Sequence, residues 1–374
     1  MIFIKKLIGQ PQFIKEVNID IIESIIVEKG PISKPEISRI SSLSLPTVNK
    51  IVDALQESNR VKVSGVFSTG IGRKAQLYIV NENSGCILAL YFINDTYICS
   101  VVNAIGKITY KCIMPVDIST KASAIESTFK AVEELMGHTK SNVRAIGIGV
   151  PGVVKSSNML SNIPNIPAWE GINLKEIIEG KYKISTFVEN DVKLTTVGFY
   201  HNELKQQYNN MIYIYLGKGI GSGIIINKKL YKGFKSFAGE LGYMIVERPS
   251  DKDAEYIKTR GLLEQRISLL IQNLKNTESE ENRRREAEKL IELLSFSISN
   301  LICILNPEVI VISGEIADKQ FISDMECKVG TLVDKESMPL FMNNECETSG
   351  ISGIVNMCVS NICSRYQLVK EKGV

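Results

Sequence analysis

The stretch Tyr213 to Asn227 reads YIYLGKGIGSGIIIN, two apolar runs of β-type residues joined by GKGIGSG. Glycines let backbone N–H groups come close to phosphate oxygens, and flanking strands hold such a loop rigid, so this segment is suited to phosphoryl-group chemistry. The same glycines also satisfy the turn geometry of an ordinary hairpin. A second set of chemistry-bearing residues stands nearer the N-terminus, in PISKPEISRISSLSLPTVNKIVDALQESNRVKV. Ser33, with Glu36 three residues on, is a capping pair, and EISRI continues as a short helix. SSLS interrupts it, and Ser44 caps a second short helix with Pro46 near its first turn. Two short helices across a tight polar turn predict a helix-turn-helix, whose second helix presents Pro46, Thr47, Asn49 and Lys50 to the DNA major groove.

The elements around these residues fit that use. NIDIIESIIVEKG carries apolar residues at helical spacing and stops on Gly30, while Val48, Ile51, Val52 and Leu55 form the buried stripe of the second short helix. RVKVSGVFSTGIGRKAQLYIV then reads as strand, Gly-rich loop, strand, the wing of a winged helix, with Arg73 and Lys74 on the loop. Ser33, Ser44, Pro46, Thr47, Asn49, Lys50, Arg73 and Lys74 are the DNA-facing candidates. The alternative is a helical subdomain used only for packing. Charge favours the former: residues 1–80 hold eleven Lys/Arg against seven Asp/Glu, leaving 33 against 34 for the rest of the chain, so the excess of positive charge sits where a polyanion would be met.

At 374 residues the chain exceeds what one core usually holds, and 44% hydrophobic content fills two or three domains. From Gly85 the composition turns β-rich. CILALYFI, TYICSVVNA and GKITYKCIM precede a helix through AIESTFKAVEELM and a strand through VRAIGIGVPGVV. A similar order recurs after residue 210, with MIYIYLG, SGIIINKK, LYKGF and LGYMIV ahead of helices and PEVIVISGE. Such duplication builds the two-lobed fold of actin and the sugar kinases, with a ligand cleft between lobes. No apolar run approaches the roughly 20 residues that span a bilayer, and the N-terminus lacks a signal-peptide layout, so a cytoplasmic address is expected. Eight scattered cysteines without a CxxC pair, and only two histidines, predict reduced, mostly buried thiols rather than disulfides or a zinc site.

Taken in order, GPISKPEISRISSLSLPTVNKIVDAL, GRKAQLYI, AIGIGVPGVV, NIPNIPAWEGINL, FVENDVKLTT, YIYLGKGIGSGIIINKKLYKGFKSFAGELGYM and ILNPEVIVISGE resemble the ROK family (repressors, open reading frames, kinases), in its transcriptional-repressor branch. The resemblance runs over nearly the whole chain. It implies an α/β fold: an N-terminal winged helix-turn-helix over residues 1–80, then a two-lobed actin-like, ribonuclease H-like sugar-kinase domain over 81–374. Lobe 1 would span about 84–200 plus the C-terminal helix, and lobe 2 about 208–350. It also implies that Asn165, Asn190, Asp191, Glu240, Tyr243 and Glu255 line a sugar site. In kinases of the family the residue at Asp191 is the general base that accepts the proton of the attacking hydroxyl. Helix capping by Asn190 and Asp191 is the competing account of those two residues.

Departures from the family pattern matter as much. Its kinases open lobe 1 with a DxGGT-type loop that wraps ATP phosphates. Here the segment is ALYFINDTYI, without glycine and with bulky Tyr91 and Phe92 expected at the turn, and Lys218 replaces a small residue in the second loop. Many members follow AGELGH with a CxCGxxGC zinc loop. Here Tyr243 replaces the histidine, and VERPSDKDAEYIKTRG has no cysteine, so no metal and no cofactor is expected. Trp169 is placed either against a sugar or beneath the Asn165 loop, and His138 at a helix end. The expectation is a sugar-responsive repressor without kinase activity, bound to operator DNA as a homodimer or a dimer of dimers, with a small sugar or sugar phosphate as effector and no membrane partner. The alternative is an ATP-dependent sugar kinase with a regulatory DNA-binding domain, in which Asp191 is catalytic.

Overall fold

The computed structural model describes residues 11–67, 75–163, 166–217, 219–344 and 348–364. The chain opens with α1 (Pro11–Lys29), β1 (Ile32–Ser33), α2 (Lys34–Ser41), α3 (Leu45–Glu57), β2 (Val61–Phe67) and β3 (Ala75–Val80). The three strands form an antiparallel sheet in the order β1-β3-β2. Ser33 and Glu36 form the expected capping box, Ser42 ends α2 in the left-handed region at φ 57°, and Ser44 accepts the Thr47 N–H to start α3. Ile22, Ile26, Ile37, Val48 and Val52 are at most 1% exposed and make one core beneath the two short helices. Truncating any of the three isoleucines to Ala removes packing worth about 2–5 kcal/mol. This winged helix is fastened to the next domain through Glu23, whose carboxylate is ion-paired with Arg60 and lies 3.8 Å from Arg144 Nη1.

The first lobe follows: β4 (Cys86–Ile93), β5 (Thr96–Asn103), β6 (Ile108–Pro115), α4 (Lys121–Gly137), β7 (Val143–Val150), the ribbon β8 (Val153–Val154) and β9 (Leu160–Ser161), α5 (Leu174–Tyr182), β10 (Thr186–Asn190) and α6 (Asp191–Asn202). The second comprises β11 (Met211–Leu216), β12 (Ile220–Ile226), β13 (Lys229–Leu230), α7 (Ala254–Thr259), α8 (Leu262–Asn276), α9 (Glu280–Leu305), β14 (Val309–Ser313), α10 (Lys319–Gly330), β15 (Leu340–Asn344) and α11 (Ser349–Ser364). The sheets run β6-β5-β4-β7-β10 and β13-β12-β11-β14-β15. In each, the first three strands pair antiparallel and the last two add in parallel. Two copies of one topology stand side by side, the duplication expected from the sequence.

Two local expectations need correction. LGYMIV is not a strand: Leu241–Tyr243 is a 3₁₀ turn entered through Gly239 at φ 90°. Tyr91 and Phe92 lie within β4 rather than at a turn. The reversal is at Asn94 and Asp95, both with positive φ (47° and 56°), as a two-residue hairpin of right-handed twist requires. Two crossover helices, α6 and α11, link the lobes. Val192, Phe199 and Tyr200 of α6 pack with Met211, Tyr213 and Val309 of the second sheet. Ile351, Ile354 and Cys358 of α11 return to Ile87, Ala89 and Ala145 of the first. The helices cross in backbone contact: a Cβ on Gly198 would stand 1.9 Å from Ser349 O, and one on Gly353 1.8 Å from Leu194 O.

Candidate functional site

Two surfaces carry the candidate residues. At the start of α3, Ser44, Pro46 and Lys50 are exposed and Thr47 and Asn49 are half-buried, so this turn is open to a groove. Ser33 is buried, its hydroxyl donating to Glu36 Oε2 at 2.7 Å, which makes it a cap rather than a contact. Lys34 is held by Asp53 at 2.5 Å and fixes α2 against α3. Arg73 and Lys74, on the loop between β2 and β3, lie outside the described residues.

The second surface is a cleft of about 1440 Å³ between the lobes. Asp191, at its floor, is set by the junction of β10 and α6. Asn190 caps α6 by accepting the Lys193 N–H at 2.9 Å, and its Nδ2 donates to Gly152 O at 2.8 Å and to Asp191 Oδ1 at 3.1 Å. Val192 N–H also donates to Asp191 Oδ1, at 2.8 Å. Both of these bonds to Asp191 end on Oδ1. Burial, with the charge of Glu240 adding to it, pushes Asp191 up to about 7. Glu240 precedes the 241–243 turn, 3.6 Å from the Nζ of Lys193. That lysine is 1% exposed and donates to Ser236 O at 2.6 Å. Burial raises Glu240 and Lys193 opposes the rise. Tyr243 lines the cleft with its hydroxyl donated to Thr259 O at 2.9 Å.

The hairpin between β11 and β12 also lines the cleft. Here Glu264, on the first turn of α8, accepts the Ile220 N–H at 2.8 Å. Burial and the charge of Glu240 lift it to about 7, against the pull of that hydrogen bond. Lys218 lies outside the described residues. Tyr91 reaches the cleft from β4, its hydroxyl 2.9 Å from Thr195 Oγ1, and its ring lies so close to Gly350 that a Cβ there would stand 2.4 Å from Tyr91 Cε2.

Residues 95–353 match the ROK family. The chain belongs to the ROK family. The xylose repressor of Bacillus subtilis (strain 168) is 24% identical to it, covering 93% of this chain and 97% of that one. The DNA-binding transcriptional dual regulator NagC of Escherichia coli (strain K12) is 25% identical over 87% of each. Among solved structures, a ROK family transcriptional regulator described as a homolog of the E. coli MLC protein superposes over 95% of this chain and 99% of its own with a TM-score of 0.77 at 17% identity. A ROK family glucokinase from Streptomyces griseus, solved with glucose and AMPPNP, covers 75% of this chain and 100% of its own with a TM-score of 0.58. The actin-like lobes are thus common to regulators and kinases, and the regulator alignment extends further along the chain, over 95% against 75%.

The structure brings Asn190, Asp191, Glu240 and Tyr243 to one cleft. Asn165 lies outside the described residues. Glu255 is exposed on α7 and is not among the cleft-lining residues. Trp169 is fully buried, its ring centroid 4.7 Å from that of Phe92, which leaves it no face for a sugar. His138 ends α4, stacked on Tyr110 at 3.8 Å. Cys86, Cys99 and Cys358 are buried, but Cys303 and Cys327 are exposed, so the expectation of mostly buried thiols holds for only half of the six described. Segment 244–259 offers no thiolate, and among the described residues no three His, Cys, Asp or Glu side chains converge as metal ligands. No helix of the described residues is long and apolar enough to cross a membrane. Sequence reasoning missed Lys193 and Glu264. Each sits in the first turn of a helix, where a charged residue reads as solvated, and only the tertiary fold turns it inward.

Proposed function

We propose that this protein is a sugar-responsive, DNA-binding transcriptional regulator, a repressor, that does not phosphorylate its sugar. The observation that carries the reading is the open N-terminal turn of α3, joined in one chain to a cleft whose acids are held for hydroxyl recognition. Ser44, Pro46, Thr47, Asn49 and Lys50 enter the major groove, and Arg73 and Lys74 on the wing reach phosphate or the minor groove. In the cleft, Asp191 and Glu240 accept from sugar hydroxyls, Asn190 keeps Asp191 oriented, and Asn165 and Tyr243 complete the wall. Two chains bind one operator, and sugar binding alters lobe geometry and hence the spacing of the two heads. Such coupling needs a differential affinity of about 1–3 kcal/mol between the two states.

The test uses a labelled DNA fragment selected from a random pool by the wild-type protein, titrated with and without xylose or N-acetylglucosamine, the sugars in the names of relatives. Asp191→Ala is expected to bind this DNA like wild type but to lose the sugar response. Loss of DNA binding by Asp191→Ala, or a sugar response in it equal to that of wild type, would overturn the division of labour. A second reading has one observation in its favour: a carboxylate near 7 at the cleft floor suits a general base for phosphoryl transfer. Sugar-dependent ATP consumption at on the order of 1 s⁻¹ that vanishes in Asp191→Asn would establish it instead.

A further inference from the structure

The winged helix is tied down as far as Asn81, and the first lobe from Cys86 onward. Asn81 donates its N–H to Arg60 O and its Nδ2 to Asn59 O, both at 2.9 Å, and Cys86 donates its N–H to Asn142 O at 2.9 Å. Residues 82–85 lie between as a short hinge. Ala104, just after β5, packs against the head's core, an apolar contact that fixes a distance but no direction. Direction comes from Glu23 on α1. Its carboxylate takes both arms of the Arg60 guanidinium, and its Oε1 also lies 3.8 Å from Arg144 Nη1. Glu23 and Arg144 are 17% and 28% exposed, whereas the Lys62–Glu82 pair, at 3.7 Å, is 45% exposed on each side and contributes little. Two backbone features aim Arg144. Cys86 pairs with Val143 and Ile87 with Ala145, so Arg144 is the extra residue of a bulge in the parallel β4–β7 pairing, and a bulge redirects the side chain it carries. Gly85 clears its path: a Cβ there would stand 2.5 Å from Arg144 Nε and 2.9 Å from its Cδ.

We propose that Arg144 is a positioning residue for DNA recognition: aimed by the bulge and by Gly85, its guanidinium grips Glu23 across the 82–85 hinge and holds the winged helix in one orientation on the first lobe, so that two paired heads read a fixed spacing of half-sites. Without the grip, the head swings about the Ala104 contact and meets half-sites at several spacings. The reading of spacing rests on the repressor function proposed above. The grip across the hinge does not, because it is a property of α1, β7 and the residues between the domains.

The full-length protein is first digested with a Glu-specific endoprotease, which cuts after Glu82 when the hinge opens. Arg144→Met is expected to be cut there about fivefold or more faster than wild type, with sites inside the lobes cut at the wild-type rate, and Arg144→Lys, which keeps the charge, no more than about twofold faster. Gly85→Ala displaces the guanidinium without removing it and is expected to behave like Arg144→Met, a second reading should that variant fail to fold. Cutting after Glu82 at the wild-type rate in these two variants overturns the proposal. The DNA fragment selected by wild type is then lengthened at its centre by about five base pairs, half a helical turn. Wild type is expected to lose about tenfold or more in affinity, and Arg144→Met about threefold or less. A variant penalised as heavily as wild type, or a wild type indifferent to the insertion, overturns the proposal. A wild type that binds no DNA removes the repressor reading instead, and the protease rates then decide the grip alone.

Discussion

The open turn of α3 and the floor of the cleft are built from the same residue types and put them to opposite use. On α3, Lys50 stands exposed and Asn49 half-buried, in water, where charge acts on a polyanion at a distance. In the cleft, Lys193 is 1% exposed and clamped between Ser236 and Glu240, while Asp191 and Glu264 are both lifted to about 7 by burial. On the proposed reading, a cleft that recognises sugar hydroxyls must exclude water, and its acids are held away from their ordinary ionisation in consequence. The head accepts screening by salt in exchange for reach.

Variants can break or sharpen this contrast. The largest effect is expected of Gly353→Leu, which drives a side chain into the Leu194 carbonyl where α11 crosses α6. Urea unfolding of the lobes should lose more than about 3 kcal/mol, and the sugar response with it. Next, Asn49→Ala should cost about 1–3 kcal/mol at the selected DNA site and relax base preference at one position, read by competition among single-base variants. Equal loss on every sequence would show that Asn49 only positions the helix. A smaller, pH-dependent effect belongs to the cleft. Asp191 has a folded value near 7, well above that of an unfolded aspartate, so the native state holds the extra proton in the window between about 4 and 7. Stability contributed by this group is complete below that window and is lost as pH rises through 7. Denaturation midpoints should therefore fall from pH 5 to pH 8, and fall less in Asp191→Asn; an equal fall would remove Asp191 as a cause. The smallest effect is expected of Lys74→Ala, which should weaken all DNA sequences alike and reduce the slope of log affinity against log salt by about 0.9.

The head was legible in the sequence because its signals are local. Ser33 with Glu36, Ser44, Pro46 and Gly30 act within a few residues of themselves, and each cap formed where it was expected. The lobes were legible as a repeat because two runs of alternating strands and helices follow the same order. What escaped depends on contacts across long separations. Whether Lys193 or Glu264 faces solvent is decided by β12 and the 236–243 loop packed against their helices. Whether LGYMIV extends or coils is decided by the backbone turn at Gly239. The resemblance assigned the C-terminal helix to lobe 1, but the close crossing of α6 and α11 left only small residues as its trace, Gly198 and Gly353, and nothing in their spacing names the helix each would meet.

That crossing also orders events during synthesis. Every buried residue of the winged-helix core is present once its second wing strand leaves the ribosome, with only Ala104 packing against it from later in the chain. The first lobe is not complete so early: Ile87, Ala89 and Ala145 wait for Ile351, Ile354 and Cys358, which are translated some two hundred residues after Ala145. A growing chain therefore carries a complete DNA-binding head long before it carries a closed sheet beneath the cleft. Its bare sheet face is the surface a chaperone would guard.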